Sequence, residues 1–205
     1  RERRLERDAA VMRRCGVPAA AVDSVIDGDS VSPMPDETPV ERLADGDRVA
    51  GLEVVATPGH TLSHTAFAGD DFLLVGDAVL PTVTPNVGGS DTRTLREDRH
   101  KPRAASATNA DESVVDRDPL GVFRGTLERL ADRPERLLPG HGATVERGRI
   151  AEMLEHHRER SQQVLAALED GEPTAAAKTP WAVARQLFGD LEGIHVKFGA
   201  GEAAA

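Results

Sequence analysis

Three residues that can bind a metal ion follow the same kind of sequence pattern. His60 comes after Ala-Thr-Pro-Gly, Asp77 after Leu-Leu-Val-Gly, and His141 after Leu-Leu-Pro-Gly. Each pattern predicts a strand that ends in a glycine-containing turn, and neighbouring strands of one sheet can end at a shared edge. Two imidazoles and one carboxylate suit zinc, and also iron or manganese. One such turn alone is ordinary, but three in this arrangement favour a metal site.

The composition limits the class of protein that can carry this site. The chain has 205 residues, of which 39% are hydrophobic, which is enough to bury a core. It holds 35 acidic and 25 basic residues, a formal charge of −10, and its only lysines are Lys101, Lys178 and Lys197. Salt screens the self-repulsion of such an acidic chain, so the excess of acidic residues favours a halophilic source. The same negative charge argues against a protein that coats nucleic acid.

Cysteine and hydropathy bear on the compartment. Cys15 is the single cysteine, which excludes a disulfide within the chain and a cluster of thiolate ligands. A reducing, cytoplasmic setting is therefore expected. No apolar run reaches the roughly 18 residues that a membrane-spanning helix needs, so no membrane is expected among the partners.

Hydrophobic periodicity predicts the elements that position the three residues. We expect a strand at 52–57, a short strand ending in a turn at 136–142, and a hairpin formed by 64–68 and 72–75. Asp118 and Pro119 are predicted to be the N-terminal cap and first residue of a helix. Residues 17–47 are predicted to be loop with one short extended piece. A long helix should follow residue 148, with an apolar face made of Ile150, Leu154, Val164, Leu165 and Leu168.

Four stretches of the chain resemble one known family. TPGHT at 57–61, LLVGDAVLP at 73–81, DPLGVFRGTLERL at 118–130 and LPGHG at 138–142 are similar to the metallo-β-lactamase superfamily of hydrolases. Its hydroxyacylglutathione hydrolase (glyoxalase II) branch has the same motifs in this order. The resemblance implies a mixed α/β fold of the αββα sandwich type.

The resemblance also implies roles for the three residues. His60 would bind the first of two metal ions, His141 the second, and Asp77 would bridge them; zinc is expected, with iron or manganese as alternatives. The family's HxHxDH stretch, which supplies four more ligands, is expected upstream of Arg1, and a metal-free homologue is the alternative. The implied reaction is hydrolysis of a small ester or thioester by hydroxide that the two metals activate.

Three further residues are candidates for supporting roles. His64 is predicted to support the turn by hydrogen bonding rather than to bind metal directly. Asn86 is a candidate for the substrate pocket, although a plain turn residue explains it equally well. His157 is a candidate for substrate contact, with packing inside the long helix's apolar face as the other reading.

The chain is expected to hold two domains. Residues 1–148 form the hydrolase domain, with a polar insertion at 91–117, and residues 149–205 form a linker helix and a partial winged helix. The second part resembles an endoribonuclease-like branch of the family, so cleavage of an RNA phosphodiester is one alternative function. Nine acidic against six basic residues in 149–205 argue against it. A non-catalytic regulatory or binding module is the other alternative, and homo-oligomerisation is left open.

Overall fold

The structure is a computed structural model that describes residues 2–29, 39, 41–87, 118–169 and 178–204. Contacts divide the chain into two compact units. Unit 1 comprises Arg1–Val40 and Glu159–Ala205, and unit 2 comprises Glu41–Arg158. The predicted polar insertion at 91–117 lies outside the described residues. No helix within the described residues is long and apolar enough to cross a membrane.

Unit 2 is organised around one five-stranded sheet. The strands are β1 (Arg48–Val49), β2 (Leu52–Ala56), β3 (Thr65–Ala68), β4 (Phe72–Gly76) and β5 (Arg136–Pro139). They lie in chain order; the first four pair antiparallel, and β5 pairs parallel with β4. The predicted hairpin, β3–β4, is confirmed. Because β2, β4 and β5 all run in the same direction, their carboxyl ends lie at one edge of the sheet.

One face of this sheet forms the core of unit 2. The register places Ala68 opposite Leu73, and Leu73 opposite Leu137, so alternate positions of the strands share a face. The buried side chains of that face pack with two helices, α3 (Pro119–Ala131) and the start of α4 (Gly148–Glu169). The helical members of the core are Phe123, Leu127, Leu130, Ile150 and Met153.

Helix α3 connects β4 to β5 and begins as predicted. The side chain of Asp118 accepts a hydrogen bond of 2.6 Å from the backbone N–H of Gly121, and Pro119 is the first helical residue. This cap satisfies one of the N–H groups that the first turn of a helix leaves without a partner. The structure thus has the crossover helix that a parallel pair of strands requires.

Unit 1 is built from helices alone among its described residues. Helices α1 (Glu2–Arg14), α2 (Ala19–Gly28), α5 (Pro180–Phe188) and α6 (Ile194–Ala204) join the second part of α4. Its core includes Met12, Val22 and Val196, each at most 2% exposed. The buried Asp8 carboxylate lies 2.6 Å from the ammonium of Lys197, which ties α1 to α6.

Two expectations about local structure were wrong. Residues 19–28, predicted as loop, form α2, because Pro18 starts the helix and Val22 and Val25 fall three residues apart on a buried face. Leu165 and Leu168, predicted to lie on the apolar face of the long helix, are 58% and 48% exposed. The buried residue of that turn is Ala167 instead.

The predicted domain boundary at 148/149 stays a prediction. Helix α4 begins at Gly148 and continues without interruption to Glu169, and residues 1–40 group with 159–205 through contacts of α1 and α2 with α6. The winged-helix character of 149–205 stays a prediction. The described residues form a mixed α/β structure with one sheet and six helices, in agreement with the predicted class, and hold one sheet of the αββα arrangement.

Candidate metal centre

His60 lies in the turn that follows β2, and a hydrogen bond orients its imidazole ring. Gly59 has φ of 140°, a value that glycine adopts far more readily than other residues. The ring Nδ1 of His60 lies 2.9 Å from the backbone carbonyl oxygen of Asn86. A carbonyl can only accept, so Nδ1 carries a proton, and in the neutral ring the lone pair is then on Nε2.

Asp77 and His141 are brought together by the parallel pairing of β4 with β5. The backbone N–H of Gly140 donates to the carbonyl of Gly76 over 2.8 Å, one residue before each candidate ligand. A Cβ at Gly140 would lie 2.7 Å from Oδ1 of Asp77 and 3.3 Å from the backbone of Gly76. Glycine at position 140 therefore lets the end of β5 lie close to Asp77 with the carboxylate in this position.

The three side chains predicted from the sequence meet at this edge. Nε2 of His60 lies 3.7 Å from Oδ2 of Asp77, and Nε2 of His141 lies 3.4 Å from Oδ1. The two imidazoles thus face different oxygens of one carboxylate. The side chains of His60 and Asp77 are 28% and 30% exposed, and that of His141 is 77% exposed, so the cluster opens to solvent on the His141 side.

These separations fit metal ligation in pairs. Zinc binds nitrogen and oxygen ligands at about 2.0–2.2 Å, so two ligands at a tetrahedral angle lie about 3.4 Å apart. Both nitrogen–oxygen separations are close to that value. Among the described residues, no group of three or more His, Cys, Asp or Glu side chains is arranged to hold a metal ion. Each imidazole–carboxylate pair is therefore spaced as two ligands of one metal ion would be.

Known proteins share this architecture. No protein-family model matches the chain. A β-lactamase-like protein 2 homolog of Drosophila melanogaster is 28% identical over 120 residues, which are 57% of this chain and 31% of that protein. The crystal structure of a metallo-β-lactamase family protein from Thermus thermophilus matches 97% of this chain with a TM-score of 0.64 and 30% identity. A β-lactamase domain protein from Burkholderia ambifaria matches 93% with a TM-score of 0.66 and 26% identity.

The chain is thus similar to members of the metallo-β-lactamase superfamily. It spans 56% and 52% of the two solved structures, and 31% of the curated relative. The glyoxalase II-like branch and the winged helix stay predictions.

His64 links the His60 turn to Asp77. Its Nε2 accepts from the backbone N–H of Asp77 over 3.2 Å, and its Nδ1 lies 2.7 Å from the hydroxyl of Thr57. Since a backbone N–H can only donate, Nε2 is unprotonated and Nδ1–H donates to Thr57. Both ring nitrogens are thus used within the protein, which agrees with a supporting role; that role stays a prediction.

The surroundings of His64 favour its neutral form. Burial lowers the pKa of the imidazole, and the nearby His60 lowers it further, against smaller opposing effects of Asp77 and Thr57. A Cβ at Gly76 would lie 2.9 Å from Nε2 of His64, so the ring packs directly on the glycine before Asp77. The neutral ring is therefore held against the backbone of the β4 turn.

The two candidates for the substrate pocket have different surroundings. Asn86 is half-buried, and its backbone carbonyl holds the ring of His60, a contact that the sequence pattern did not indicate. His157 is 5% exposed and packs edge-on against Phe123, with ring centroids 5.5 Å apart. This contact fits the alternative reading of His157 as a packed residue. Contact of Asn86 or His157 with a substrate stays a prediction.

The residues of α3 that make hydrogen bonds to the backbone before His60 were not predicted from the sequence. The hydroxyl of Thr126 donates to the carbonyl of Pro58 over 2.8 Å, and the guanidinium of Arg129 donates to the carbonyl of Ala56 over 3.0 Å. Both lie on α3 within the stretch DPLGVFRGTLERL. The available signal was a polar Thr126 between the apolar positions Phe123 and Leu127 of a helix that packs on a sheet.

Proposed function

We propose that this chain carries part of a binuclear metal site in a hydrolase that cleaves small esters or thioesters. The observation that supports it is the position of the Asp77 carboxylate, with one oxygen toward each of two imidazoles. A carboxylate can be shared by two cations and offset part of their mutual repulsion, which a neutral side chain does not do.

In this proposal His60 holds one ion, His141 holds the other, and Asp77 contributes to both. Zinc is the proposed metal because nitrogen and carboxylate ligands suit it, with iron or manganese as alternatives. Two protein ligands for each ion fall short of a closed shell. The HxHxDH stretch that the resemblance implies would supply the remaining ligands.

The chain's own residues prepare the site in three ways. The Asn86 carbonyl keeps His60 in the tautomer whose Nε2 lone pair faces Asp77. The exposed side of His141 leaves an approach for a substrate. The charge of Asp77 attracts the cations. When bound, a metal pair supplies hydroxide near neutral pH and polarises the oxygen of the scissile group.

The substrate class and compartment belong to the same proposal. The motifs that resemble glyoxalase II favour a thioester or ester over a phosphodiester, and the acidic residues of 149–205 argue against RNA. A small-molecule substrate is therefore proposed. The single cysteine, Cys15, suits a reducing compartment, so we place the reaction in the cytoplasm.

The test is metal content and turnover of the protein expressed from the complete reading frame. The protein is loaded with zinc, iron or manganese, dialysed, and assayed on a generic thioester, a carboxylic ester and a single-stranded RNA. We expect close to two metal equivalents and hydrolysis of the thioester or ester that a chelator abolishes and added metal restores. Retention of no metal would overturn the proposal, and cleavage of RNA alone would replace its substrate class.

A further inference from the structure

The turn that carries His60 is held by helix α3 as well as by the sheet. Pro58 has no N–H, and its carbonyl points to α3, where the hydroxyl of Thr126 lies 2.8 Å away. Thr126 is 1% exposed, so water does not compete for this bond. The two residues are separated by 68 positions of the chain, so the bond joins two elements that nothing local brings together.

The direction of each hydrogen bond at Thr126 follows from its partners. The Pro58 carbonyl can only accept, so the hydroxyl donates to it. The guanidinium of Arg129 can only donate, and it lies 3.3 Å from the same hydroxyl oxygen and 3.0 Å from the carbonyl of Ala56. The hydroxyl of Thr126 therefore both donates and accepts a hydrogen bond. The carbonyls of Ala56 and Pro58, which precede His60, are both bound by side chains of α3.

A packing contact adds to these bonds. A Cβ placed on Gly59 would lie 2.5 Å from the Cβ of Phe123 and 2.7 Å from its Cα. The backbone of the turn thus rests directly on the backbone of α3, one residue before His60. Phe123 is fully buried, so the helix cannot move away without disturbing the core.

We propose that Thr126 is a positioning residue for His60. Its hydroxyl sets the place of the Pro58–Gly59 backbone, and the Asn86 carbonyl sets the rotation of the His60 ring; together they direct Nε2 toward Asp77. The consequence for metal affinity rests on the function proposed above. The effect on the His60 ring does not depend on it.

The test compares Thr126→Val, which keeps the shape and removes the hydroxyl, with Thr126→Ser, which keeps the hydroxyl. Both are made in the protein from the complete reading frame with ¹⁵N-labelled histidine. In the metal-free wild type, two-bond ¹H–¹⁵N spectra at fixed pH should show His60 with the proton on Nδ1. Thr126→Val should give averaged ring-nitrogen shifts for His60, and Thr126→Ser should restore the wild-type pattern.

Zinc affinity, measured by competition with a chromophoric chelator, is the second readout. Thr126→Val should weaken zinc binding about 10- to 100-fold, and Thr126→Ser should stay within about 3-fold of wild type. Thr179→Val is the matched control, because it removes the hydroxyl that caps α5 in unit 1. It should leave the His60 signals and zinc affinity unchanged.

The outcomes separate this inference from the proposed function. If the wild type binds no zinc, the proposed function is wrong. If Thr126→Val in that case still gives averaged His60 signals, the positioning role is supported. Wild-type His60 signals in a folded Thr126→Val protein would overturn the positioning role, whatever the zinc affinity of that variant is. If Thr126→Val does not fold, Arg129→Met is the deciding variant. It should move the His60 ring-nitrogen shifts toward the averaged values, by less than is expected for Thr126→Val. Unchanged His60 signals in Arg129→Met would overturn the inference.

Discussion

The backbone N–H of Asp77 donates to Nε2 of His64 over 3.2 Å, which joins the end of β4 to the turn after β2. The other ring nitrogen donates to Thr57, whose side chain is 1% exposed. One neutral imidazole thus fixes the backbone of one candidate ligand relative to the turn that carries another. His64 is four residues from His60 in the chain, and each of its ring nitrogens makes a hydrogen bond within the protein.

We predict that His64→Ala lowers metal affinity or turnover about 10- to 100-fold without removing the fold, since outer partners of metal ligands have effects of this size. Competition with a chelator and steady-state kinetics would measure it. His195→Ala, at an exposed position of α6 in unit 1, is the control and should stay within about 2-fold of wild type. A metal-loaded His64→Ala protein with normal affinity and turnover would contradict the supporting role.

We predict that Asp77→Asn keeps the fold and loses the metal pair, because the amide has the same shape and no charge to place between two cations. Metal content by mass spectrometry, with circular dichroism to follow the fold, would measure this. Asp70→Asn, in the exposed β3–β4 turn, should keep both metals. Two retained metals and near-normal turnover in Asp77→Asn would show that the bridging role is wrong.

We predict opposite effects of two glycine-to-alanine changes. Gly59→Ala should lower the free energy of unfolding by about 2–5 kcal/mol, because φ of 140° strains an L-residue and the new methyl group meets Phe123. Gly125→Ala, in α3 with nothing within 4 Å of the new Cβ, should raise it by about 0.5–1 kcal/mol. Urea unfolding would measure both, and a neutral Gly59→Ala would contradict the close packing of the turn on α3.

We predict that Glu135 contributes stability at neutral pH that is lost in acid. Burial raises the pKa of its carboxyl, but hydrogen bonds and charge from Arg133, 2.6 Å away, with a contribution from Arg147, outweigh burial and hold the pKa below its ordinary value. The unfolded state therefore binds a proton first as pH falls. The contribution is fully present above the unfolded-state pKa of about 4.3 and is lost as pH falls through the folded-state pKa.

Glu135→Gln should accordingly lower the free energy of unfolding by about 1–2 kcal/mol at pH 7, and by progressively less below about pH 4. Urea unfolding at pH 7 and at several values below about pH 4 would measure the difference. Glu155→Gln is the control, because Glu155 pairs with Arg158 on an exposed helix surface and should change stability little. A difference between wild type and Glu135→Gln that grows in acid would refute the sign of the effect.

The elements that local sequence specified were predicted well. The Asp118–Pro119 helix start and the β3–β4 hairpin depend on backbone sterics and on residues within a few positions of one another. Helix α2 was missed because its apolar positions, Val22 and Val25, are few and follow a proline that suggested a loop. Leu165 shows the opposite error: periodicity indicates a face, but only packing decides which face is covered.

The sequence by itself determined that His60, Asp77 and His141 each follow a strand and a glycine turn, since those patterns are local. It did not determine that Asp77 lies between the two imidazoles, or that Thr126 reaches Pro58 across 68 residues. Those relationships depend on the register of β4 with β5 and on how α3 packs on the sheet. Register and packing are set by the burial of side chains far apart in the chain, which only the tertiary structure specifies.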